Sequence, residues 1–139
     1  MFAGVPARLT FSGHTHHPLI RPAPYGRAVN VGAVGDPLDG DPRAAYAMAT
    51  KAVGAADGDW AVAIVRVPYD VEAALAAYDG GMGAVDPTFR ALMARQLRTG
   101  RRFLVPWLER SATLRPDERA AALDRFLGAD GECSEGGER

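Results

Sequence analysis

Disulfides, membrane spans and a charge imbalance are all missing from this chain, and each absence removes a class of protein. The single cysteine, Cys133, cannot close a bridge within the chain, which fits a reducing compartment. No apolar run approaches the ~20 residues that a membrane-spanning helix needs. The opening stretch, MFAGVPARL, lacks the charged start and long apolar core of a secretory signal, so a cytoplasmic location is expected. Sixteen basic residues face seventeen acidic ones, for a net charge of −1. That balance does not steer a chain to nucleic acid or to an anionic membrane. Lysine is nearly absent: Lys51 stands alone and arginine supplies the other basic residues. With alanine and glycine also abundant, the arginines follow overall composition, so their number is not evidence of phosphate recognition. Histidine is scarce too. The three imidazoles, His14, His16 and His17, all fall within "SGHTHHPL", residues 12–19.

What is present suffices for one domain with a core: 139 residues, 47% hydrophobic and 24% charged. Leu9 and Phe11 alternate with Arg8 and Thr10, so residues 7–12 read as a short strand ending at Gly13. Pro18, Pro22 and Pro24 are expected to keep the next stretch extended and outside any sheet. A second strand is expected over 27–31, then a turn-rich loop over 32–43. Residues 44–51 and 60–67 read as an antiparallel hairpin around the turn at 54–59. Helical spacing begins at the N-cap Asp70, with Val71, Ala74, Leu75 and Tyr78 on one face and Asp79-Gly80-Gly81 as the stop. A second helix is expected over 87–99 with Gly100 as its C-cap, and Phe89, Leu92, Met93 and Leu97 inward. A third starts near Pro116, with Ala120, Leu123, Phe126 and Leu127 inward and Gly128 at its end. The last eleven residues, 129–139, read as a disordered tail.

His14 and His16 are two apart, just past a strand end. If strand geometry carries through Gly13, both side chains point to one side, as two ligands of a metal ion would. Neutral imidazole suits Mn, Ni, Zn or Fe. Gly13 permits a sharp turn or a close ligand approach. The competing reading is a polar surface loop, because H-x-H alone lacks a third and fourth ligand and no structural-zinc spacing is nearby.

The segments "LTFSGHTHHP" and "NVGAVGDPLDGDPRAAYA", with the "YD" that ends the last strand, resemble the C-terminal half of the calcineurin-like metallophosphoesterases, in particular their compact bacterial and archaeal phosphodiesterase group. The matching segments span about sixty residues in the family's order. The resemblance implies an α/β (α+β) fold: the C-terminal half of a four-layer α/β/β/α sandwich, with mainly antiparallel strands followed by helices. It implies divalent metals, with His14 on one ion and His16 on the other, and a phosphate-ester substrate bordered by Gly13, Asn30 and Gly32. Val31, Ala33 and Leu38 depart from the family's usual Pro, Ser and Arg.

The larger departure lies upstream. The family's other ligands come from D-x-H, G-D-x-x-D and G-N-H-[DE] segments that precede the G-H-x-H. Only twelve residues precede Gly13, and they hold none of these; D-x-H and G-N-H occur nowhere in the chain. Two neutral imidazoles without a bridging carboxylate do not hold a dinuclear centre. Residues 1–128 are therefore expected to form a partial metallophosphoesterase domain, inactive alone, that self-associates or meets a chain supplying the missing half. A non-catalytic binding or regulatory module of the same fold is the alternative. Asp36, Asp39 and Asp41 lack the spacing of a calcium loop and read as turn residues. Arg90, Arg95, Arg98, Arg101 and Arg102 read as a solvated helix face, and Trp60 and Trp107 as core or interface fillers, so nucleic acid is not an expected partner.

Overall fold

The structure is a computed structural model, and it describes residues 9–24, 26–56, 59–81 and 86–128. The chain divides into two compact units, Met1–Tyr69 and Asp70–Arg139. All the described strands lie in the first and all the helices in the second, so the fold is α+β. The expected tail, 129–139, with Cys133, lies outside the described residues.

The first unit begins with β1 (Leu9–Ser12), β2 (Leu19–Ala23) and β3 (Gly26–Asn30). They form one sheet in the order β1-β3-β2. β1 runs parallel to β3, with Phe11 beside Val29, and β2 runs antiparallel to it, with Ile20 beside the same valine. Val29 is fully buried as a result of its central position. The proline-spaced stretch is thus a strand, against expectation. It escapes the usual penalty because β2 lies at the edge of the sheet, where a missing N–H at Pro22 interrupts no ladder on the open side.

β4 (Ala44–Thr50) and β5 (Ala61–Val67) make the expected hairpin, from Ala44 opposite Val67 to Thr50 opposite Ala61. Alternation decides its faces: Ala45 is buried, while Tyr46 and Met48 are exposed on the other side. The loop over residues 31–43 joins the two sheets. It is tied to β1 by the Val31 N–H donating to the Ser12 carbonyl (3.0 Å) and to β4 by Ala45 N–H donating to Ala33 (2.8 Å). Pro37 in this loop is fully buried.

The second unit holds α1 (Val71–Gly81), α2 (Pro87–Thr99), α3 (Leu104–Ser111) and α4 (Pro116–Gly128). Asp70 and Asp86 cap the first two, each accepting from the N–H three residues on, at 2.9 and 3.0 Å. α1 extends to Gly81, the last residue of the expected stop Asp79-Gly80-Gly81. Gly100 ends α2 in the left-handed conformation, φ 67°, with its N–H bonded to the Gln96 carbonyl. Leu92, Phe103, Trp107 and Ala122 form the core, with Phe126 edge-on to Phe103 at 6.1 Å between ring centroids. Ala120, expected inward, is exposed; Ala122 takes the buried position on α4.

α3 is a helix where no element is expected from the sequence, and Pro106 sits inside it. The proline occupies the first turn, where the N–H has no intrahelical acceptor and its loss is harmless. Phe103, which precedes the helix, offers no side-chain cap. Gln96 replaces one from α2: its buried Oε1 accepts from the Phe103 N–H at 3.0 Å and from Leu104 at 3.4 Å.

Candidate metal centre

The candidate residues sit on two segments that β1 and β3 bring side by side. Ser12 pairs with Asn30, so the loop that leaves β1 at Gly13 runs next to the loop that leaves β3 at Val31. Asn30 joins the two. Its Nδ2 donates to the Gly13 carbonyl and to Thr15 Oγ1, both at 2.9 Å, and its Oδ1 accepts from the Gly32 N–H at 3.0 Å. Gly32, φ 81°, has no room for a side chain: a Cβ there would stand 2.9 Å from that of Ala45 and 3.4 Å from Pro18. Gly13 has open space around its Cβ position instead, with nothing within 4 Å.

The expected orientation of the histidines by strand geometry is not what the backbone does. The strand ends at Ser12, and both His14 (φ 77°) and His16 (φ 60°) are left-handed. They are the only non-glycine residues in that conformation among those described. Around His14 the chain makes a three-residue turn, with Thr15 N–H donating to Gly13 O at 3.0 Å; a positive φ at the centre of such a turn is the strained form. Gly13, which could take the strain at no steric cost, is not the residue that does.

His16 is held from the other loop. Its Nδ1 lies 2.6 Å from the Asp36 carbonyl, and the Asp36 carboxylate stands 3.6 Å from the same nitrogen. A carbonyl oxygen can only accept, so Nδ1 carries the proton and Nε2 keeps its lone pair. A metal-binding imidazole is commonly fixed in this way, by an oxygen that accepts from the ring nitrogen facing away from the metal. His17 has the same polarity, Nδ1 to the Thr15 carbonyl at 2.8 Å, within its own loop. His14 is exposed, and its ring makes no hydrogen bond among the described residues. Asp36 as the partner of His16 is twenty positions away in sequence, and nothing in its dipeptide Asp36-Pro37 distinguishes it from an ordinary turn.

The other two aspartates face arginine. Asp41 accepts from Arg43 Nε, Nη2 and main-chain N–H, and Asp39 pairs with Arg66 of β5. The Arg43 hydrogen bonds hold the Asp41 carboxyl far below the usual carboxylate range. These contacts clamp the loop to the hairpin, in keeping with the turn reading. Tyr69, two residues past β5, has a hydroxyl that is buried without a hydrogen-bond partner. Burial, and secondarily the Asp36 charge, pushes its pKa above the ordinary phenol value.

The donor chemistry at His14 and His16 fits part of a metal site and not the whole of one. Among the described residues no three His, Cys, Asp or Glu side chains come together in a way that could hold a metal ion. Of the arginines expected on a solvated face, Arg98 pairs with Glu72 at 2.7 Å on the surface, and Arg95 lies over the Phe103 ring at 5.9 Å, against the core. No helix among the described residues is long and apolar enough to cross a membrane.

No protein-family profile matches the chain, and no curated protein sequence does. Among solved structures, the crystal structure of a metallophosphoesterase from Sphaerobacter thermophilus is similar to part of it, with 28% identity and a TM-score of 0.47. The similarity covers 67% of this chain and 42% of that one, so the chain spans less than half the length of the protein it matches.

Proposed function

We propose that this chain carries His14 and His16 as two ligands of a divalent-metal phosphoesterase site whose remaining ligands lie outside this sequence. The bond from His16 Nδ1 to the Asp36 carbonyl carries the proposal, because it presents Nε2 with a free lone pair and a fixed ring. The left-handed backbone at both histidines supports it: strain of this kind concentrates where geometry serves a ligand. The order of the "GHTHHP" and "NVGAVGDPLDGDP" segments, which resembles the metallophosphoesterases, supplies the reaction class. In that chemistry a divalent ion, Mn, Ni, Zn or Fe, polarises the phosphoryl group and lowers the pKa of a bound water. In the same proposal Gly13, Asn30 and Gly32 border the substrate side, with Asn30 and Gly32 acting by bracing the loop and Gly13 leaving open space.

The site is expected to work, in the cytoplasm, only when the missing ligands are supplied from outside this sequence; the chain is also expected to self-associate or to meet a chain supplying the missing half. Phe11, Leu19 and Ile20 on the first sheet, with Tyr46 and Met48 on the hairpin, are exposed apolar side chains that support such an association. A chain of the same fold that binds without catalysis is the second reading, favoured by the partial donor set. The test is hydrolysis of an aryl phosphodiester by the rigorously pure chain with Mn²⁺ or Ni²⁺. Negligible turnover is expected. Robust turnover by this chain alone defeats the claim of an incomplete site.

A further inference from the structure

Arg66 breaks the apolar pattern of its strand on the inward side. In β5 it shares a face with Val62 and Ile64, and its cross-strand partner is the buried Ala45. Arginine is seldom turned inward unless it is paired. Here the pairing is with the loop over residues 31–43. Nη1 and Nη2 both donate to the Asp39 carboxylate, Nη1 also donates to the Arg43 carbonyl at 3.3 Å, and Nε stands 3.7 Å from the Asp41 carboxylate. The Arg66 side chain is 15% exposed against 51% for that of Arg43, so its ion pair is the less screened of the two.

A second tie of the same loop falls on the same rung of the hairpin. Ala45 N–H donates to the Ala33 carbonyl at 2.8 Å, and Ala45 lies opposite Arg66. Residues 33–39 are therefore held at both ends by one cross-strand pair, and Asp36 lies in the middle of that span. Its carbonyl, 2.6 Å from His16 Nδ1, belongs to the planar peptide unit that ends in the Pro37 nitrogen, and Pro37 is fully buried. The carbonyl cannot turn away from the imidazole without moving a buried ring.

We propose that Arg66 is a positioning residue for His16: by gripping Asp39 it fixes the span 33–39 on the hairpin and so keeps the Asp36 carbonyl on the Nδ1 proton. The link runs from side chain to side chain at Asp39 and then back along the main chain to Asp36. Arg43 has no such route, because it grips Asp41, which lies beyond the span. The consequence for metal binding rests on the proposed function; the brace itself does not. Its effect is confined to one ring, because His17 is held by Thr15 within its own loop.

The experiment reads the histidine rings of the full chain by ¹H–¹⁵N spectroscopy at neutral pH without metal. In the wild type, His16 is expected as the Nδ1–H tautomer. In Arg66→Gln its Nδ1 proton is expected to exchange about fivefold faster, the factor that corresponds to one net hydrogen bond of ~1 kcal/mol, with His17 unchanged. Asp39→Asn removes the charge on the loop side, leaves Arg66 in place and is expected to do the same, so the test does not depend on one variant folding. The double variant should add nothing, because both changes break one link. Arg43→Gln is the control: it frees Asp41 but leaves the span 33–39 tied, so His16 exchange is expected to stay at the wild-type rate. A lower urea midpoint in Arg66→Gln with His16 exchange unchanged overturns the proposal, since that is what a merely stabilising ion pair gives on removal. Effects of Arg66→Gln and Asp39→Asn that add, or exchange in Arg43→Gln as fast as in Arg66→Gln, overturn it too. A wild-type chain that binds no metal defeats the proposed function and leaves this test standing.

Discussion

At the scale of single residues, the chain places its unusual backbone where its unusual side chains are. Left-handed φ at a non-glycine residue costs about 1–2 kcal/mol, and both instances among the described residues fall on His14 and His16. Replacing His14, whose ring makes no hydrogen bond among the described residues, by glycine should therefore stabilise the chain while removing a proposed ligand, which chemical denaturation can check; a loss of stability would show that the ring holds the fold together. Gly32 is the opposite case. At φ 81°, with a Cβ that would stand 2.9 Å from that of Ala45, it admits no side chain. Gly32→Ala is expected to lose more than the ~1–2 kcal/mol of backbone strain alone. Gly40→Ala, with φ 85° and nothing within 4 Å, should lose only the strain. Equal losses in urea unfolding would contradict the packing account. Residue identity made the histidine cluster legible in the sequence, since three imidazoles in four positions stand out in any composition. Their orientation was not legible. It depends on a carbonyl twenty positions away, and a main-chain acceptor leaves no mark on the residue type that supplies it.

At the scale of elements, local rules succeeded wherever a local cause acts. The β4–β5 hairpin shows its alternation, and α2 shows its apolar face from Phe89 to Leu97 and Gly100 as its stop. β2 was hidden by proline, which is read as a breaker unless its position at a sheet edge is known, and α3 carries a proline that only its place in the first turn makes harmless. Gln96, as the surrogate cap of α3, is similarly a tertiary fact. Gln96→Ala leaves the buried Phe103 N–H without its acceptor and is expected to destabilise the helical unit by about 1–3 kcal/mol, measurable as a lower urea midpoint; a change near zero would show that α3 needs no such cap. The loop over 31–43 carries the pH dependence. Arg43 holds the Asp41 pKa far below its unfolded value. A depressed folded pKa adds stability that is fully present above the unfolded value of ~3.9 and is lost as pH falls. Asp41→Asn should therefore reduce the loss of Tm on acidification below about pH 4, because the variant no longer has that stability to lose. An acid limb that superposes on the wild type would rule this out.

At the scale of the whole molecule, the described strands and helices segregate along the chain, apolar side chains of both sheets reach the surface, and among the described residues no three metal donors come together. Each of these facts fits a chain that functions in association, and sedimentation at rising concentration should show oligomers or, with a partner present, a defined complex. The central claim is narrower than that, since it concerns two rings. Titration of the metal-free chain with Zn²⁺ or Mn²⁺ by calorimetry, repeated with His14→Ala, His16→Ala and His17→Ala, tests it directly. The account predicts weak binding that disappears with His14→Ala and with His16→Ala and survives His17→Ala. Binding that is absent from the wild type, or unchanged across the three variants, would contradict it.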